Sequence, residues 1–351
     1  MTISLKRFKR IPSLLAWASA FTLLSVSNAH AERQKLVVAS FGGKLDEVYK
    51  QVFEPFRKAH DVDIEWVPGT APGNVAKLAA TRNSPEFDLI LFDDINQGVA
   101  SSEQLLAPIK DSKAIPWNAL TDRAKAAGGD GAAIGAFVTG IYYRADVFKD
   151  KGWAPPTSWD DLSRREFCGH LGLERATQVY TLNAVLMLAN AQVSQIDKGI
   201  ARFTELAKCA RVLEPAAAKH EEKILLGELL VGVNSSIRAL PLTQRIDGLK
   251  FVLPKEGAVV STTMVSAVRN APHPALTEDF IAWFVSPEVQ DQLMRKLFYS
   301  PVNVNVDVPQ QLHELGVPDQ ATLDRQPKIV DTDVVEHRRD WTRKLERSLS
   351  Q

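Results

Sequence analysis

Lys35-Leu36-Val37-Val38-Ala39-Ser40-Phe41-Gly42-Gly43 is the stretch on which the fold turns. An apolar strand run ends at two glycines, and then Leu45, Val48, Tyr49, Val52, Phe53, Phe56 and Ala59 recur at helical spacing, one apolar face over four turns. Pro55 interrupts that face and should kink or divide the helix. Val62 to Val67 reads as the next strand. The turn from Pro68 to Gly73 follows, with Asn74 placed to cap a helix through Arg82. Phe87-Asp88-Leu89-Ile90-Leu91-Phe92 is nearly all apolar, as strands are when a sheet is covered on both faces. This alternation predicts a doubly wound α/β domain.

A second α/β set follows the extended run Ile134 to Tyr143. It holds a short strand at Leu171-Gly172-Leu173, a helix ending near Lys208, a strand at Arg211-Val212-Leu213, an Ala-rich helix at Asn183 to Ala191 and a strand at Leu229 to Val233. Lys250 to Leu253 and Ala258 to Val268 are extended, and Ser286 caps a helix with Pro287 at its first position. No repeat, low-complexity tract or Gly/Ser linker separates the two sets, so they read as joined lobes. The chain has 351 residues, 45% hydrophobic and 24% charged, with 42 basic and 42 acidic side chains. That composition excludes a disordered chain or a coiled coil, and zero net charge argues against a nucleic-acid binder.

Four of the cations, Lys6, Arg7, Lys9 and Arg10, stand before any acid, leaving 38 basic against 42 acidic residues from Glu32 onward. The apolar run Ile11 to Val26 after them is too short to span a bilayer, and it closes on Ala29-His30-Ala31. Residues 1–31 are expected to be a secretory signal peptide cut after Ala31, giving a periplasmic protein. Cys168 and Cys209 are the only cysteines. In an oxidising compartment they are expected to form a disulfide, since the start of a strand and the end of the following crossover helix share a sheet edge.

Motifs for nucleophilic, zinc or phosphate-loop chemistry are absent from the sequence. Gly128-Gly129-Asp130-Gly131 precedes a strand where a dinucleotide loop would follow one, and the seven histidines have no ligand spacing. No cofactor or metal is expected, and the chain reads as a binder, not an enzyme.

Several ordered segments carry a family resemblance: Val37 to Gly43 with Phe53-Glu54-Pro55-Phe56, Phe87 to Ile90 before Asp93-Asp94, and Thr139 to Arg144. Pro254 to Ala258, Phe280 to Phe284, Ser286 to Gln290 and Tyr299-Ser300-Pro301-Val302-Asn303 continue the series. Together they resemble the type 1 extracellular solute-binding proteins, and within them the spermidine/putrescine-type substrate-binding proteins of ABC importers. The resemblance implies a periplasmic binding protein fold (type II-like): two doubly wound α/β lobes joined by crossing strands, closing on a small-molecule ligand in a central cleft. It implies a monomer whose partner is an ABC transporter membrane permease. The lobes are expected at 34–138 plus 264–300 and at 139–263 plus 301–351.

Ligands of open α/β sheets sit outside the carboxyl ends of strands. Phe41, Gly42 and Gly43 open the first helix, where backbone can approach an anion. Asp93 and Asp94 at the end of the next strand suit an ammonium group, or one of them caps the segment after that strand. Asn234, Ser235 and Arg238 follow the strand ending at Val233, and Ser261, Thr262 and Thr263 fall where the chain should re-cross. Thr70, Tyr142, Thr177 and Tyr180 are further candidates. The polyamine pattern has Trp at Ser261, Asp at Thr263 and Trp at Val233. Losing these removes a stacking surface and an amine partner and argues against a polyamine, while Asp93 and Asp94 opposite the Gly42-Gly43 helix start and Arg238 point to a small amine-bearing solute, zwitterions included. Polyamine binding, ferric-ion binding through Tyr142-Tyr143, and an exported enzyme on the same scaffold are the alternatives.

Overall fold

The computed structural model describes residues 33–351 apart from Thr177, Ala216, Lys328 and Val330. The expected signal segment 1–31 and its cut after Ala31 lie outside the described residues. Among the described residues there are nine strands: β1 (Gln34–Ser40), β2 (Val62–Pro68), β3 (Leu89–Asp93), β4 (Ala132–Arg144), β5 (Leu171–Glu174), β6 (Ala210–Glu214), β7 (Val231–Ser235), β8 (Leu249–Val252) and β9 (Val260–Ala267). Their order is β2-β1-β3-β9-β4-β7-β5-β6, with β8 also on β4. β1 runs parallel to β2 and β3, while β9 is antiparallel between β3 and β4.

The long strand β4 belongs to two pairings in turn. Its residues 132–138 pair with β9, and residues 139–144 pair with β7 and β8. One strand therefore crosses from the first α/β set into the second, each with helices on both faces. Two hydrophobic clusters form the core: one around Phe53, Phe92 and Phe280 that continues past the crossing through Tyr142, Leu240 and Phe251, the other around Trp159, Phe203 and Trp341.

Two local expectations are corrected. The helix Gly43–Ala59 runs undivided through Pro55. Phe53 and Phe56, on either side of it, pack into one aromatic group with Trp66, Phe280 and Phe284. Aromatic pairs add about 0.5–1.5 kcal/mol each beyond burial, enough together to offset the roughly 3 kcal/mol cost of an interior proline. The next helix, Ala71–Ala80, is capped by Thr70 and not by Asn74. Pro72 lacks an N–H that the first turn does not need, so the helix begins before Asn74. The Asn74 amide instead reaches the Ser40 carbonyl at 3.1 Å.

The disulfide is present. Cys168 and Cys209 are bonded, with Cα atoms 4.6 Å apart, and the Gly169 amide donates to the Cys209 carbonyl at 2.8 Å. The bridge ties the approach to β5 to the end of the helix Ile196–Cys209. The last helix, Asp331–Leu349, packs on the helix Asp94–Ser102, where Gly98 makes room for Val335, and on the helix before β6 through Lys344 and Asp197.

Candidate ligand-binding site

The carboxyl edge of the first half of the sheet gathers Gly42, Thr70 and Asp93, each at the start of a helix. Gly42 has φ 76°, and a Cβ there would come within 2.9 Å of the Pro68 side chain. Its amide is occupied: Asp46 accepts from Gly42 N at 3.1 Å and from Ser40 Oγ at 2.6 Å. Gly43 also has positive φ and open space where a side chain would stand, while Phe41 packs against the first cluster. Thr70 Oγ1 accepts from Gly73 N at 3.2 Å as the helix cap.

Both aspartates of the expected ammonium pair are turned to structural work. Asp93 caps its helix by accepting from the Asn96 amide at 2.9 Å and side chain at 2.6 Å, and Arg338 stands 3.9 Å away. Asp94 accepts from the Ile95 amide at 3.0 Å and from the Thr262 amide of β9 at 2.9 Å.

In the second half, Asn234 and Ser235 lie within β7, whose end is Ser235 and not Val233. Asn234 is fully buried; its Oδ1 accepts from Ser235 N at 2.8 Å, and its Nδ2 has no partner. Ser236 Oγ accepts from the Val138 amide at 3.3 Å, fastening this helix start to β4. Tyr142 is buried in the sheet, 2.7 Å from His220 Nε2. Tyr180 donates to Glu174 at 2.7 Å. Thr177 lies outside the described residues.

Arg238 lies in the helix Ser236–Thr243 that follows β7. It donates from Nη1 to Glu221 at 2.6 Å, its side chain 33% exposed and that of Glu221 27%. Burial works against its charge, but Tyr180, Glu221 and Glu174 outweigh this and hold the guanidinium firmly protonated. Its field also reaches Tyr49 and Tyr299, which belong to the first half. Burial pushes both phenols up, so they stay neutral. Tyr299 Oη lies 2.9 Å from Thr263 Oγ1 and 3.3 Å from Tyr49 Oη, and Gly135 leaves room for its ring.

β9 separates this group from a second one. Thr263 faces Tyr299, whereas Thr262, next along the strand, faces Asp94. On the Thr262 side is a cavity of about 800 Å³ lined by Asp94, Arg123, Asn183, Ser261, Thr262 and Gln320, among others. Asn183 Nδ2 donates to Thr139 Oγ1 and to Ser261 Oγ, both at 3.0 Å, tying the two crossing strands to one helix. The sequence candidates thus fall into an Arg238 group and an Asp94 group.

Sequence reasoning missed Tyr49, Tyr299, Glu174, His220 and Glu221. His220 is buried, and its Nδ1 lies 2.9 Å from Glu174 without hydrogen-bond geometry. A lone His with no spaced partner carries no signal of this. Tyr299 opens the family-like segment ending at Asn303, and its place there was the available clue. Among the described residues, no three His, Cys, Asp or Glu side chains gather so as to hold a metal ion.

The profile of the bacterial extracellular solute-binding protein family matches residues 51–316. Among characterised relatives, the gamma-aminobutyric acid-binding protein of Pseudomonas aeruginosa is 23% identical, over 81% of this chain and 82% of its own. A putative 2-aminoethylphosphonate-binding periplasmic protein of Salmonella typhimurium is 25% identical, over 84% and 86%. Among solved structures, the spermidine/putrescine ABC transporter substrate-binding protein of Streptococcus pneumoniae superposes with a TM-score of 0.70 at 16% identity, covering 90% of this chain and 99% of that one. The fold is accordingly that of the periplasmic binding proteins, two α/β lobes joined by crossing strands. With three quarters of its length matched, the chain belongs to the bacterial extracellular solute-binding protein family.

Proposed function

We propose that this protein is exported, cut after Ala31, and captures a small amine-bearing zwitterion between its lobes for delivery to the membrane permease of an ABC importer. The observation that carries this reading is Arg238: a charged guanidinium, one-third exposed, that engages Glu221 through Nη1 alone. It is suited to an anionic group, with Gly43, Asn234 Nδ2 and Thr263 as further polar contacts. The two relatives named for gamma-aminobutyric acid and 2-aminoethylphosphonate bind solutes of that kind, which supports the reading. A linear polyamine would set an ammonium against Arg238, and burying a charge beside a like one is costly.

The lobes of this proposal are residues 34–138 plus 264–300 and residues 139–263 plus 301–351, hinged where β4 changes partners. The pairing of residues 260–263 with β3 and β4 favours moving the second crossing to the start of β9. The bridges of Ser300 and Asn303 to Ala136 and Leu120 favour a third crossing beyond Asn303. Calorimetry with 4-aminobutyrate, 2-aminoethylphosphonate, spermidine and putrescine tests the function. A zwitterion should bind at micromolar or lower Kd and the polyamines far more weakly; micromolar polyamine binding would refute the reading.

A further inference from the structure

The helix Ala217–Leu225 carries two neighbouring titratable residues in opposite directions. His220 turns inward and is fully buried beside Tyr142 and Glu174, while Glu221 turns to Arg238 and stays partly exposed. Among the described residues, the Arg238–Glu221 contact is a single bond, Nη1 to Oε1 at 2.6 Å. It leaves Glu221 Oε2 and Arg238 Nε and Nη2 without hydrogen-bond partners in that set. A carboxylate and a guanidinium, side by side and both accessible, present a matched pair of charges.

We infer that Glu221 is the specificity-determining residue of this site, meeting the ammonium of a zwitterion whose anionic end is taken by Arg238. The inference rests on reading Arg238 as the anion receptor. The other carboxylates in question have work elsewhere: Asp93 holds Asn96 and faces Arg338, and Asp94 holds the amides of Ile95 and Thr262. Glu174 receives Tyr180. Charge balance points the same way. Glu221 stands 2.6 Å from Arg238, so a simple monoanion taken by that guanidinium would lie beside a carboxylate. A diamine would meet the guanidinium with its second ammonium. Only a ligand bearing both signs reproduces the Arg238–Glu221 pair in reverse.

The test is calorimetry on wild type, Glu221→Gln and Arg238→Gln with 4-aminobutyrate, butyrate and putrescine, each variant checked for its ligand-free melting temperature. Glu221→Gln should weaken 4-aminobutyrate roughly ten- to hundredfold, the loss of one hydrogen bond to a charged group. It should leave butyrate unchanged or tighter. Arg238→Gln should weaken both. If Glu221→Gln weakens both acids equally or neither, the inference about Glu221 is overturned while the anion site stands. If Arg238→Gln changes nothing, or wild type binds no zwitterion, the reading of the site itself fails. Should Glu221→Gln lower the melting temperature, Glu221→Asp must retain the preference for 4-aminobutyrate over butyrate; losing it overturns the inference.

Discussion

Removing the disulfide by Cys168→Ala with Cys209→Ala should separate stability from binding. The bonded residues are 41 apart in sequence, and a loop of that length is worth about 4 kcal/mol through the entropy of the unfolded chain. Neither the fold nor the site needs the bond for its geometry. The bridge anchors the beginning of β5, whereas Glu174, which holds Tyr180, is the last residue of that strand. Strand rise of roughly 3.3 Å per residue puts several residues of hydrogen-bonded ladder between them. Parallel pairing to β6 and β7 keeps that ladder in register without the bridge. Urea unfolding followed by circular dichroism should therefore show a loss of about 4 kcal/mol, while the Kd for 4-aminobutyrate stays within about twofold. A stability change under about 1 kcal/mol would refute the loop-entropy account. A tenfold weaker Kd would refute the separation of the two ends of β5.

Other substitutions probe the carboxylates that serve structure. Asp94→Asn removes a charged acceptor from the Thr262 amide and should cost about 1.5–3 kcal/mol of stability, with less effect on 4-aminobutyrate affinity than Glu221→Gln; calorimetry and melting curves read both. Asp46→Ala strands the Gly42 amide and leaves Ser40 Oγ only the Val67 carbonyl at 3.4 Å, and should lower unfolding free energy by about 1–3 kcal/mol. Asp319 caps the helix Gln320–Asp324, and its hydrogen bonds from Thr322 hold its pKa below the usual value. A carboxylate lowered in the folded state contributes stability above its unfolded pKa and loses it as pH falls through the folded one. Asp319→Ala should thus cost about 1 kcal/mol at neutral pH, a difference that vanishes in strong acid; a pH-independent difference in melting temperature would contradict this.

The alternation of strands and helices was legible because Phe87 to Phe92 and the periodic face from Leu45 to Ala59 are local patterns. The cysteine pair was legible for a related reason: a strand and its crossover helix fix each other's ends. The insertion of β9 between β3 and β4 was not, since no local pattern records which distant strand pairs with which. The site divided in the same way. Arg238 could be placed from the strand before it, but Glu221 lies 17 positions earlier on a helix whose inward and outward faces only the fold reveals. Asp93 and Asp94 were found at the right edge, but which of them capped the following helix was open until the fold showed Asp93 at the cap, because a cap and a ligand carboxylate look alike in sequence. Thr70 took the cap expected of Asn74 for the same reason, both being good capping residues.

The change of partners within β4 happens between Val138 and Thr139, with no residue to spare. Side chains alternate along a strand with period two, so beyond the irregularity between Ala133 and Gly135 a single phase runs through the change of partners to Arg144. One residue inserted at that junction would leave the pairing of residues 132–138 with β9 in place. It would, however, exchange the inward and outward sets of every downstream position, setting Ile141 where Tyr142 now packs against His220. The strand is thus a keyway as well as a connection: the phase of the pairing on one side of it sets the phase of the pairing on the other.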